Sequence, residues 1–86
     1  METRVAIIAV IVERTESTEE LNALLHQYGG YIIGRMGLPY RRRGVSIISI
    51  AVDAPQDVIS ALSGKIGRLK GVTAKTVCSD VVSREE

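Results

Sequence analysis

Eighty-six residues suffice for one domain, and a core that small makes self-association a reasonable source of further burial. Apolar residues make up 45% and charged residues 24%, a globular balance, and the longest apolar run, residues 5–12, is far short of the about 20 residues a membrane-spanning helix needs. Eleven basic against ten acidic residues leave a net charge of +1, which excludes a surface given over to nucleic-acid phosphate or anionic lipid, so any anion site must be local.

Along the chain, "RVAIIAVIVE" (residues 4–13) is β-branched and apolar on both alternating faces, the pattern of a central strand. In "RTESTEELNALLHQYGG" the period changes: Leu21, Leu24, Leu25 and Tyr28 make one stripe of an amphipathic helix. Ser17 with Glu20 three residues on predicts a capping box, and Gly29 with Gly30 a left-handed stop. "YIIGRMGL" (residues 31–38) reads as an edge strand whose Gly34 and Gly37 mark a bulge or a close backbone approach. After "PYRRRG" comes a second central strand, "VSIISIAVD" (residues 45–53). A second helix begins around Pro55, carries Val58, Ala61 and Leu62 on one stripe, and is expected to end near Gly64. "VTAKTVCS" (residues 72–79) is a shorter, more polar strand, and residues 80–86 are expected to form a frayed charged tail.

The order β-α-β-β-α-β predicts an α+β, ferredoxin-like sandwich: a four-stranded antiparallel sheet with both helices on one face and the first and third strands innermost. The chain reads as a single domain, residues 1–86, with an ordered core of about residues 4–79. Aromatic content is only 3%, all tyrosine, so the core must be aliphatic. Helices cover one sheet face alone, yet both inner strands are apolar on both faces. A second copy covering the helix-free face, in a dimer or tetramer, is the simplest way to bury them.

"GRMGLPY", "VSIISIAVDAP" and "VISALSGKIGRLKGV" together resemble the small proteins named as iron-only hydrogenase system regulators, over residues from about Arg4 to Cys78. That family is similar in fold to ACT-type domains, which bind small effectors at subunit interfaces, and to the C-terminal sensing domain of the nickel-responsive repressor. The resemblance implies an ACT-like fold and a non-catalytic regulatory module that takes a small effector or a protein partner. The chain departs from those relatives in three respects. His26 and Cys78 stand alone where the nickel sensor has several histidines and a cysteine, so no metal site and no cofactor are expected. The first loop, "ERTES", lacks the glycine common in amino-acid-binding ACT domains. No helix-turn-helix or basic helix is expected before the first strand.

An enzyme would need a poised nucleophile, base or metal, and no such constellation occurs. The candidate ligand-binding residues are Arg41, Arg42 and Arg43, with Arg35 joining them if the edge strand bends at its glycines, and Thr15 and Ser17 at the positive end of the first helix. Position at a hairpin tip by itself accounts for the arginines. The alternative function is nucleic-acid binding through Arg41, Arg42 and Arg43. The two inner strands carry no aromatic residue for base stacking, so nucleic acid is not the expected partner. One cysteine and no signal-peptide pattern make a cytoplasmic location the expectation, with no membrane partner.

Overall fold

Residues 2–84 are described by the structure, a computed structural model. In the first strand, β1 (Glu2–Val12), the alternation sorts cleanly: Ala6, Ile8, Val10 and Val12 are buried, while Val5, Ile7 and Ile11 on the opposite face stay exposed. A single turn of 3-10 helix (Thr15–Ser17) leads into α1 (Thr18–Gln27), and a second (Gly29–Tyr31) leads out of it. Then follow β2 (Ile32–Tyr40), β3 (Val45–Ala54), α2 (Gln56–Gly67) and β4 (Val72–Arg84). The strands form one antiparallel sheet in the order β2-β3-β1-β4, the ferredoxin-like α+β arrangement expected from the element order.

β1 and β3 pair without a break, from Arg4 opposite Ala54 to Val12 opposite Ser46. One face of this central pair supplies Ile8, Val10, Ile50 and Val52 to the core, where Leu21 and Leu25 of α1 and Ile59, Leu62 and Ile66 of α2 close over them. Each such aliphatic side chain contributes roughly 1.5–3 kcal/mol when fully buried. The α1 stripe is the expected one. In α2 the buried residues are Ile59, Leu62 and Ile66; Ala61 is exposed and Val58 half-buried. That stripe runs one turn past Gly64, and burial of Ile66 holds the last turn helical to Gly67.

Three further local expectations are corrected. Gly29 and Gly30 form a 3-10 turn instead of a left-handed stop; the glycines with positive φ are Gly44 and Gly71. Ser17 makes no side-chain cap, so the capping box with Glu20 does not form. β4 does not stop at residue 79: it continues beside the start of β1, as far as Arg84 opposite Glu2, because β1 offers backbone partners there whatever the side chains. Glu85 and Glu86, the rest of the expected tail, lie outside the described residues.

The predicted irregularity of β2 is present. Ile32 faces Val52 but Gly34 faces Ala51, so Ile33 is an extra residue in an edge strand. β4, the other edge, carries a larger one, since residues 78–82 span the stretch of β1 between Ala6 and Arg4.

Gly71 is where the chain tolerates nothing larger. Its φ is +71°, and an added Cβ would lie 2.5 Å from Cγ and 2.9 Å from Cβ of Arg14. Gly71→Ala is expected to lower stability by about 1–3 kcal/mol in urea denaturation. Gly29→Ala, with open space around it and no positive φ, should change it by less than about 0.5 kcal/mol.

Candidate functional site

The helix-free face of the sheet is built from alternate residues of all four strands. β1 contributes Val5, Ile7 and Ile11, β3 contributes Ile47, β2 contributes Met36, Leu38 and Tyr40, and β4 contributes Val77. Cross-strand pairing places them side by side: Leu38 faces Ile47, which faces Ile11, while Ile7 lies between Ala51 and Val77. Met36 is 71% exposed and Val77 69%, values that no interior provides. The residues between them are small, and Ile7, Gly34, Met36, Ser49 and Ala51, together with Arg35, line a shallow hollow of about 250 Å³. Charge on this face is confined to its margins, with Asp53 opposite Val5 and Lys75 opposite Ala9.

The sequence expectation centred on β1 and β3. β2 turns out to be equally apolar on this face, and the signal for it was the period-two spacing of Met36, Leu38 and Tyr40 in "RMGLPY".

The predicted ligand-binding residues do not come together. Arg41, Arg42 and Arg43 occupy the exposed β2–β3 turn, held by hydrogen bonds from the Arg43 N–H to the Tyr40 carbonyl and from the Gly44 N–H to the Arg41 carbonyl, both 3.2 Å, with Gly44 at φ +67°. Arg35 lies on the opposite sheet face from Met36, and its guanidinium donates to Asn22 Oδ1 of α1 at 3.2 Å. β2 is paired with β3 continuously from Gly34 to Tyr40. It therefore does not fold Arg35 back, and six residues of strand put about 20 Å between Arg35 and Arg41.

Ser17 is fully buried, and its hydroxyl donates to the Lys70 carbonyl at 2.5 Å. That bond ties the loop after β1 to the loop before β4 and occupies the group proposed for an anion. Thr15 is exposed in the 3-10 turn. Beside it, Arg14 and Glu16 make a 3.8 Å ion pair in which both side chains are more than half exposed, an interaction of little energetic weight.

His26 is exposed on α1 and Cys78 is half-buried beside the core, so they remain apart. Among the described residues no three His, Cys, Asp or Glu side chains are grouped as metal ligands. Among the described residues no helix is long and apolar enough to cross a membrane.

Residues 4–76 match the TM1266-like family, described as "Iron-only hydrogenase system regulator, putative". Among solved structures, the chain is similar to the uncharacterized protein TM1266 from Thermotoga maritima, at 36% identity and a TM-score of 0.85, covering 88% of this chain and 96% of that one. It is also similar to a formyltetrahydrofolate deformylase from Pseudomonas putida KT2440, at 14% identity and a TM-score of 0.61, over 85% of this chain and 28% of that one, a likeness of fold alone. Among curated proteins there is no match.

Ser17→Ala is expected to lower stability by about 1–2 kcal/mol, because the Lys70 carbonyl loses its buried partner; thermal denaturation followed by circular dichroism reads it. Replacing Arg41, Arg42 and Arg43 together by serine should leave melting temperature and oligomer mass unchanged. In a gel shift at about 150 mM salt, where binding through phosphate contacts would already be weakened, no DNA affinity should be lost. Dissociation of the triple variant into monomers would instead place the arginines in an interface.

Proposed function

The chain belongs to the TM1266-like family of iron-only hydrogenase system regulators, and from that premise we propose that it is a non-catalytic regulatory module that works as a homo-oligomer joined through the helix-free sheet face. In this role it receives a small effector or a protein partner and acts on an iron-only hydrogenase system. The observation that carries the reading is the exposed aliphatic face, with its eight large apolar side chains and its charge held to the margins.

Size supports the same reading. Four strands about 4.8 Å apart and about ten residues long present a footprint of roughly 19 by 33 Å. That is of the order of the about 800 Å² per partner found in stable complexes. Replacing solvent on such a patch by a like surface is favourable at roughly 25 cal/mol per Å² of apolar area before the costs of association.

The sheet edges are poor alternatives. β2 carries Pro39, which has no N–H to donate, and the Ile33 bulge; β4 carries the irregularity opposite Val5. Both devices discourage edge-to-edge extension, which leaves the face as the surface for a second copy.

Light scattering coupled to size exclusion at micromolar concentration tests the assembly. The parent should run as a dimer or tetramer, and the Ile7→Asp/Leu38→Asp variant, which puts two carboxylates into the centre of the face, should run as a folded monomer near 9.3 kDa. A parent that is itself monomeric at that concentration overturns the reading.

A further inference from the structure

On the side of the molecule opposite the helix-free sheet face, the two helices leave a groove of about 350 Å³ between them. Its apolar lining is Ala23 and Leu24 of α1 and Leu69 just beyond α2. Its rims differ in charge: Lys65 and Arg68 stand on the α2 side, Glu20 and Gln27 on the α1 side. The volume falls at the small end of the about 300–1,000 Å³ typical of small-molecule sites. At about 30 Å³ per water-sized group it has room for roughly a dozen non-hydrogen atoms.

The two cations are held in place without being neutralised. Lys65 Nζ donates to the Tyr28 hydroxyl at 2.8 Å and lies 5.1 Å from the ring centre, beyond the hydroxyl end of the ring, so the ammonium is anchored with two N–H groups still to give. The Arg68 guanidinium folds back over α2 at Gly64, where an added Cβ would lie only 3.4 Å from one of its nitrogens. Among the described residues, no carboxylate lies within 4.0 Å of either cation. Glu20 across the groove would repel an anion, which confines a negative headgroup to the α2 rim.

We propose that this groove binds a small organic acid: an apolar ring or short chain lying against Leu24 and Leu69, with its carboxylate taken by Arg68 and Lys65. A planar carboxylate suits the guanidinium fork, and the ammonium serves as a second donor. The inference deepens the regulatory reading and rests on it for the meaning of the ligand, an effector. It does not need the oligomer interface, since the groove and the sheet face lie on opposite sides of the molecule.

Titration of the ¹⁵N-labelled protein with 1-naphthoate and with its neutral isostere 1-naphthamide, followed by amide chemical shifts, decides it. Saturable shifts at Ala23, Leu24, Arg68 and Leu69 are expected, with naphthoate bound about tenfold more tightly than the amide and that preference lost in Lys65→Gln/Arg68→Gln. Arg68→Gln alone, which alters an exposed side chain, should lower the preference on its own and keeps the test valid if loss of the Lys65–Tyr28 bond disturbs folding. Equal affinity for acid and amide, shifts centred on Ile7, Met36 and Ala51, or no saturable shift would each overturn the proposal. The Ile7→Asp/Leu38→Asp variant separates the two readings: it should lose the oligomer and retain the naphthoate shifts.

Discussion

Two helices can cover only one face of a four-stranded sheet, and the rest of this protein follows from that constraint. Ile8, Val10, Ile50 and Val52 have α1 and α2 above them and are sealed from water. Their neighbours along the same strands, Val5, Ile7, Ile11 and Ile47, have nothing above them and are between 43% and 47% exposed. A sheet twice apolar but once covered stores an unmet hydrophobic driving force. The small side chains Ala9, Ser49 and Ala51, with Gly34, let the exposed surface be shallow and continuous, a shape suited to a flat partner more than to a buried small molecule.

The loops at the end of β1 serve the core. Glu13 donates its N–H to the Gly71 carbonyl at 2.7 Å, the Arg14 side chain lies across Gly71, and the Ser17 hydroxyl reaches the Lys70 carbonyl. Three contacts within five residues bind the β1–α1 connection to the α2–β4 connection. Within "ERTES", which by composition resembles the start of an anion-binding helix, the Ser17 hydroxyl and the Arg14 side chain are thereby committed to holding two loops together, while Thr15 and Glu16 stay exposed.

Charge is distributed to match. The arginine turn projects into water at the end of the β2–β3 hairpin, where guanidinium groups cost nothing to solvate and help keep an edge strand from pairing with another. Lys65 and Arg68 sit in the last turn of α2 and just after it, where they favour the negative end of the helix dipole while facing an apolar groove. The same two residues can stabilise the helix in the free protein and offer donors to a ligand. The two surfaces are back to back across a thin sandwich, so occupancy of one need not occlude the other.

The element types, their order and hence the sheet topology are legible in the bare sequence, because strands and helices differ in hydrophobic period and each of β1, α1 and β3 shows its period over a full element. The sequence also showed that the inner strands were apolar on both faces. It did not determine which stripe of α2 is buried: Val58, Ile59, Ala61, Leu62 and Ile66 allow more than one, and the position of the helix on the sheet selects Ile59, Leu62 and Ile66. The length of β4 was hidden because backbone hydrogen bonds to the start of β1, and no apolar pattern, extend it. Ser17 and Glu20 fit a local capping rule, but the hydroxyl is claimed by a carbonyl fifty-three residues away. Arg35 reads as a neighbour of the arginine run, yet an unbroken strand carries it to α1 on the other side of the sheet. Periodicity is a property of a segment and survives in the bare sequence, whereas the partner of a given side chain depends on which distant segments meet, and only the folded chain decides that.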